Sequence, residues 1–188
     1  MTIRSEREAD WPKIAALVEA AFATAPHADG DERFFVERLR RGDRYVPDLA
    51  LVREDNGALV AHVMLTRLTI AATAGPNEVL MLAPVSVAPD RQRRGLGTRL
   101  VREALARAEA LGHGAAVVLG DPAYYSRFGF RASVAFGLLN SNGFAKENVM
   151  ALELRPGALE VAAGVITFPK SRAVSAALRL PPSWRRGR

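Results

Sequence analysis

The residues from Val79 to Leu119 constrain the fold of this chain more than any others. Val79 to Val87 is an almost unbroken apolar run, the pattern of a strand buried on both faces at the centre of a sheet. Gly97 to Leu111 follows with Leu100, Ala104, Leu105, Ala108 and Leu111 on one stripe and Gly112 just beyond as a C-cap, so it reads as an amphipathic helix. Ala115 to Leu119 is a second, short buried strand. Strand, helix, strand is a crossover unit, right-handed almost without exception, which makes the two strands parallel neighbours. Pro84 lies inside the first of them and has no amide to give to a ladder, so a bulge or a break in pairing is expected there.

The flanking sequence supplies the rest of a sheet and its cover. Asp10 reads as the cap of a helix of about three turns, with Pro12 tolerated in the first turn and Ile14, Leu17, Val18, Ala21 and Phe22 at helical spacing. A shorter helix is expected from Asp31 to about Arg41, with Phe34, Phe35 and Leu39 inward, after a loop from Thr24 to Gly30. Leu49 to Arg53 and Leu59 to Ile70 are strand-like and separated by Asp55, Asn56 and Gly57, a tight-turn signal that makes them a hairpin. Residues 71–77, with Gly75 and Pro76, are expected as loop. Pro122 to Arg127 reads as a helical turn, Pro156-Gly157 as a turn, and Phe136 to Leu139, Ala151 to Leu154 and Val161 to Phe168 as later strands.

At 188 residues this is the length of one ordinary domain, with half its residues apolar. We expect that domain over residues 1–170 and a basic tail over 171–188. No apolar run reaches the roughly 20 residues of a membrane helix, and the charged first ten residues do not resemble a signal peptide, so the expected location is cytoplasmic with no membrane partner. The absence of cysteine excludes disulfides, thiolate metal sites and cysteine nucleophiles, and His27, His62 and His113 are too far apart in sequence to suggest a zinc site; no metal is expected. The net charge of +6 raises nucleic acid as a partner. However, Arg91, Arg93, Arg94 and Arg99 lie in a turn that a polyanionic small molecule would explain, and the arginines of the tail lack interleaved aromatics, so nucleic acid is not the favoured partner.

That turn runs from Val87 through Gln92, Arg93, Arg94, Gly95, Leu96, Gly97 and Thr98 into the helix. A glycine-containing turn that opens a helix leaves backbone amides unpaired at the positive end of the helix dipole, where a phosphate fits. Gly95 and Gly97 allow close backbone approach, and Arg93, Arg94 and Arg99 add charge. The third glycine of a dinucleotide fingerprint and the Gly-Lys-Ser/Thr of an NTPase loop are both missing. The spacing Gln92, Gly95, Gly97 resembles the acetyl-CoA signature of the GNAT superfamily of N-acetyltransferases.

The resemblance extends to Val85, Ser86, Val87 and Pro89 before the turn, and to Tyr125, Gly129 and Phe130, similar to that superfamily's element of Tyr, three residues, Gly-Phe. Residues 144–159 are similar to a bacterial subgroup of predicted N-acetyltransferases. Arg93 and Arg94 depart from the smaller or mixed residues common there. The resemblance implies an α/β (α+β) fold with a mixed, mostly antiparallel central sheet, a splayed pair of parallel strands, and flanking helices. It implies acetyl-CoA as co-substrate, its pantetheine arm along Val85, Ser86 and Val87 and its phosphates on the cradle, with Tyr124 beside it. It also implies that Tyr125 protonates the departing thiolate; one of Tyr124 and Tyr125 is expected merely to pack against Phe128 and Phe130.

The acceptor amine must lose a proton before it attacks, and the sequence offers Glu78 and His62 as candidate bases by position, although a lone His in an apolar strand is more often structural. With no cysteine to carry an acyl group, direct transfer in a ternary complex is expected, to an amine of a small molecule or a peptide. A CoA-binding regulatory module without turnover and a basic nucleic-acid-binding protein are the alternatives. Acceptor choice falls to the loops Thr24 to Gly30, Ala71 to Asn77 and Ser133 to Lys146. A homodimer is left open.

Overall fold

Consecutive buried residues in three long segments, apolar on both faces, decide the centre of the molecule. The computed structural model describes residues 1–23, 30–160 and 164–169. In chain order its strands and helices are β1 (Thr2–Ser5), α1 (Trp11–Phe22), α2 (Glu32–Arg40), β2 (Tyr45–Asp55), β3 (Ala58–Ala72), β4 (Gly75–Val87), α3 (Leu96–Ala110), β5 (Ala115–Leu119), α4 (Pro122–Tyr125), β6 (Arg131–Ala132), β7 (Leu138–Asn140), β8 (Val149–Glu153) and β9 (Gly164–Ile166). The strands form one mixed sheet in the order β1-β2-β3-β4-β5-β8-β6, with β9 paired to β3 and β7 to β9. The central pairs are antiparallel except β4–β5, which is parallel as the crossover requires. No helix among the described residues is long and apolar enough to cross a membrane.

Alternation along β2, β3 and β4 sends side chains to two cores. Leu49, Leu51, Ala61, Val63, Leu65, Leu80 and Leu82 meet Leu100, Val101, Ala104, Leu105 and Ala108 of α3 on one face. Ala50, Val52, Met64, Leu68, Ile70, Val79 and Met81 meet Ile14 and Val18 of α1 and Val36 and Leu39 of α2 on the other. Leu100 is fully enclosed, so its truncation to Ala costs about 2–5 kcal/mol. Gly112 ends α3 as expected, at a φ of 89° and with the His113 amide bonded back to the Ala108 carbonyl.

Several expectations are corrected. Residues 71–77 are not loop: Ala71 pairs with Pro76 and Ala72 with Gly75, so β3 and β4 continue to a turn of Thr73 and Ala74. Gly75, at a φ of 115°, supplies the positive φ that so short a connection needs. Phe34 is not inward: Glu32, Val36 and Leu39 form the buried stripe of α2, and Phe34 on the opposite side lies under the Arg33 guanidinium. Leu111 falls beyond the last turn of α3 and is exposed. Asp10 holds the cap position of α1, but its carboxylate accepts from Arg4 and from the Arg7 amide, bracing the preceding turn. The strand expected at Phe136 begins later, at Leu138, because Ser133–Phe136 coil into a short 3-10 turn that Gly137 ends at a φ of 72°. The loop expected from Thr24 lies outside the described residues as far as residue 29, as do residues 161–163 of the last expected strand and the tail from residue 170.

Candidate active site

The parallel pair at the centre of the sheet is joined over only two rungs, Leu80 with Ala116 and Met81 with Val117. Beyond them β4 keeps its antiparallel partner β3, and β5 keeps β8, but the facing edges separate. The bulge expected at Pro84 is present. Val63 pairs with Val85 and Leu65 with Leu82, so Ala83 and Pro84, joined by a cis peptide bond, together oppose Met64. The edge of β4 from Leu82 to Val87 therefore borders a wedge, with the end of β5 on its far side.

At the mouth of the wedge the chain passes through a 3-10 turn, Pro89–Arg91, into α3. Arg93 and Gly95 take positive φ, 58° and 76°, and the amides of Arg93 through Thr98 find no backbone acceptor among the described residues. That is a row of donors at a helix N-terminus. The Gln92 amide donates to the Val87 carbonyl at 3.2 Å, tying the turn to the strand end. Arg91 is bound to Asp55 and Asp90, whereas Arg93, Arg94 and Arg99 are exposed and carry no ion pair among the described residues. Space and backbone freedom are divided between the glycines. A Cβ at Gly95 would meet nothing, so its φ is the requirement; a Cβ at Gly97 would lie 3.1 Å from the Tyr124 hydroxyl and 3.2 Å from Val87 Cγ2, so its lack of a side chain is. Leu96 is buried beneath the turn.

Asp121 caps α4 by accepting the Ala123 amide at 2.8 Å, and the two tyrosines diverge from there. Tyr124 sends its hydroxyl to Gly97 at the cradle, with the Arg127 guanidinium 4.7 Å from its ring. Tyr125 lies at the exit of β5 with its ring against Gly120 and packs edge-on to Phe130. Burial pushes the Tyr125 phenol above its ordinary value, and Tyr124 adds to the effect, so it stays protonated at neutral pH. Both tyrosines take part in aromatic packing, Tyr124 at the cradle beside Gly97 and Tyr125 beside the end of β5.

The two candidate bases are placed very differently. Glu78 is at the other end of β4, more than half exposed and 3.6 Å from Arg67. His62 is wholly enclosed and lies directly opposite Ser86 in the ladder. Its Nε2 is 3.0 Å from Glu6 Oε2. Glu6 in turn accepts two bonds from Arg40, at 2.7 and 2.8 Å, and one from the Tyr45 hydroxyl at 2.9 Å. Burial alone would raise the Glu6 carboxyl, but the bonds from Arg40 and then His62 bring it down to about 2. Burial also lowers His62, against the opposing pull of Glu6. Glu6, Arg40 and Tyr45 carry no sequence motif, and in the chain they stand among charged and polar neighbours that do not mark them out. Among the described residues no group of three or more His, Cys, Asp or Glu could hold a metal ion.

A wedge between parallel strands, opening onto an amide-lined turn with three arginines that carry no ion pair among the described residues, has the shape and charge to suit a long ligand with an anionic head. Residues 2–133 match the acetyltransferase (GNAT) domain, and the chain belongs to that family. It is 30% identical to the N-acetyltransferase YjhQ of Escherichia coli over 123 residues, 65% of each chain, and so spans just under two thirds of that relative. It is 32% identical to the N-acetyltransferase YhbS of E. coli K12 over 130 residues, 69% of this chain and 73% of the other. The crystal structure of E. coli YhbS in complex with CoA superposes with a TM-score of 0.78 at 27% identity, covering 89% of both chains. A GNAT acetyltransferase from Brucella melitensis in complex with acetyl-CoA gives a TM-score of 0.69 at 32% identity, covering 82% of this chain and 88% of that one. The sheet, with its mostly antiparallel strands and one splayed parallel pair, is the expected architecture.

Proposed function

We propose that the chain is an N-acetyltransferase that moves the acetyl group of acetyl-CoA directly to an amine of a small molecule or peptide. The observation that carries this reading is the continuity of the wedge with the cradle: the edge of Leu82–Val87 leads without a break to the free amides of Arg93–Thr98. Its two named relatives with bound ligand hold CoA and acetyl-CoA. In this reading those amides, with Arg93, Arg94 and Arg99, hold the pyrophosphate; Gln92 and Leu96 shape the turn; and the backbone of Val85, Ser86 and Val87 pairs with the pantetheine arm. Acetyl-CoA supplies the activated acyl group. Tyr125 donates its proton toward the thiol position, and Tyr124 contacts the ligand from the cradle. His62 is preferred to Glu78 as the base because it opposes the wedge strand and has no cationic partner holding its lone pair. A chain with no cysteine has no thiol to hold an acyl intermediate, which supports direct transfer. The catalytic unit is taken as residues 1–170, since buried Phe168 accepts and donates bonds with Asn142.

The test is calorimetric titration with acetyl-CoA followed by thiol release across a panel of amines and peptides. Saturable binding with amine-dependent release is expected. Binding without release from any amine identifies a regulatory module instead, and salt-sensitive oligonucleotide binding with indifference to acetyl-CoA identifies a nucleic-acid protein.

A further inference from the structure

Two buried polar atoms on opposed residues of the β3–β4 ladder have no partner among the described residues. They are His62 Nδ1 and Ser86 Oγ. Directly opposed residues leave the same face of a sheet with Cβ atoms about 5 Å apart. Both side chains are enclosed, 0% and 1% exposed. Leaving a buried polar group unpaired is destabilising, so two of them on opposed residues, not bonded to each other, call for an explanation.

The neighbours of His62 decide which nitrogen carries its proton. The Glu6 carboxylate is fastened by both arms of Arg40 and by the Tyr45 hydroxyl. Arg40 is itself enclosed, 5.2 Å from the Trp11 ring. An ionised carboxylate only accepts, so Nε2 must be the donor and the ring's lone pair lies at Nδ1. The groups facing His62 are therefore Glu6 from the chain after β1, Arg40 from α2 and Tyr45 from β2, while Ser86 belongs to the stretch of β4 that borders the wedge.

We infer that Glu6 is a positioning residue that sets His62 as a base at Nδ1, and that Ser86 passes a proton from the acceptor to it; this rests on the acetyl-transfer reading above. The step balances without any bond to carbon. With the Ser86 hydroxyl turned onto Nδ1, to which it is not bonded in this structure, a proton leaves the acceptor ammonium for Ser86 Oγ while the Ser86 proton moves to Nδ1. The acceptor becomes a neutral amine, Ser86 is again a hydroxyl, and His62 becomes an imidazolium against the Glu6 carboxylate. Glu78, held by Arg67 far up the strand, has no such route.

Two measurements on the full chain test this. Long-range proton–nitrogen correlation spectra, with His62 assigned by its loss in His62→Gln, are expected to show a protonated Nε2 and a bare Nδ1 at pH 7.5, and Ser86→Ala is expected to shift the Nδ1 resonance. A protonated Nδ1, or an Nδ1 resonance indifferent to Ser86→Ala, overturns the inference. Thiol release with acetyl-CoA and the best amine of the panel is expected to fall about a hundredfold in Ser86→Ala, with partial recovery in Ser86→Thr. Turnover of Ser86→Ala within twofold of the parent overturns it too. A parent chain that binds no acetyl-CoA defeats the functional reading instead, and the spectra still decide the tautomer. Glu6→Gln is expected to lose the single tautomer; if it does not fold, the Ser86 variants carry the decision.

Discussion

The ring of Tyr125 lies so close against the backbone of Gly120 that a methyl group there would overlap its Cε2 and Cδ2 atoms. The glycine at the end of β5 thus fixes where the phenol sits. Gly120→Ala should displace the ring and lower amine-dependent thiol release at least tenfold, while the fold survives with a melting temperature a few degrees lower. Unaltered turnover in that variant would show that the ring position is irrelevant to the chemistry.

Tyr124 and Tyr125 should separate binding from turnover. Tyr125→Phe removes the proton donor and is expected to cut kcat roughly 10- to 100-fold with little change in acetyl-CoA affinity. Tyr124→Phe removes the hydroxyl beside Gly97 and is expected to weaken acetyl-CoA binding more than it slows turnover. Titration calorimetry beside steady-state kinetics distinguishes the two, and a reversed pattern would exchange their roles.

The two cradle glycines should fail for different reasons. Gly97→Ala pushes a methyl group against Tyr124 and Val87, closing the cradle, so acetyl-CoA affinity should drop more than tenfold. Gly95→Ala meets no atom but forces an alanine to a φ of 76°, costing about 1 kcal/mol of stability. Melting curves with and without acetyl-CoA read both effects.

Stability should fall toward acid in two stages. His62 is held below its ordinary value of 6.5 by burial, so its contribution is complete above that pH and lost as the pH falls and the ring must charge. Glu6, brought from 4.5 to about 2, contributes about 3 kcal/mol that is complete above 4.5 and lost as the pH falls through 2. The melting temperature is expected to decline from about pH 6.5 and more steeply below 4.5. His62→Gln should flatten the upper stage, and a profile identical to that of the parent would refute the assignment.

What the sequence revealed and what it hid follow from the range of the interactions. The crossover, the hairpin at Asn56-Gly57, the cap at Gly112 and the bulge at Pro84 are local, since each is decided by a period or by the backbone of one or two residues. Residues 71–77 misled because Gly75 and Pro76 signal a turn without giving its length, and only the pairing of Ala72 with Gly75 does so. Phe34 misled because hydrophobicity alone does not fix which side of a helix is buried. The cradle was legible as a motif. The Glu6 cluster was not, because its members are 34 to 56 residues from Glu6 in the chain and meet only once α2, β2 and β3 have docked.

The segment that matches the family ends at residue 133, yet β5 pairs over five rungs with β8, Val149–Glu153, and β3 borders β9, Gly164–Ile166. A chain emerging in order from its N-terminus thus holds the strands of the wedge before it holds the strands that seal their edges. Until β8 arrives, the far edge of β5 is open to any extended peptide, including another nascent copy. The window for misassembly during synthesis is therefore set by the arrival of Val149–Glu153 and Gly164–Ile166, which contribute none of the wedge or the cradle.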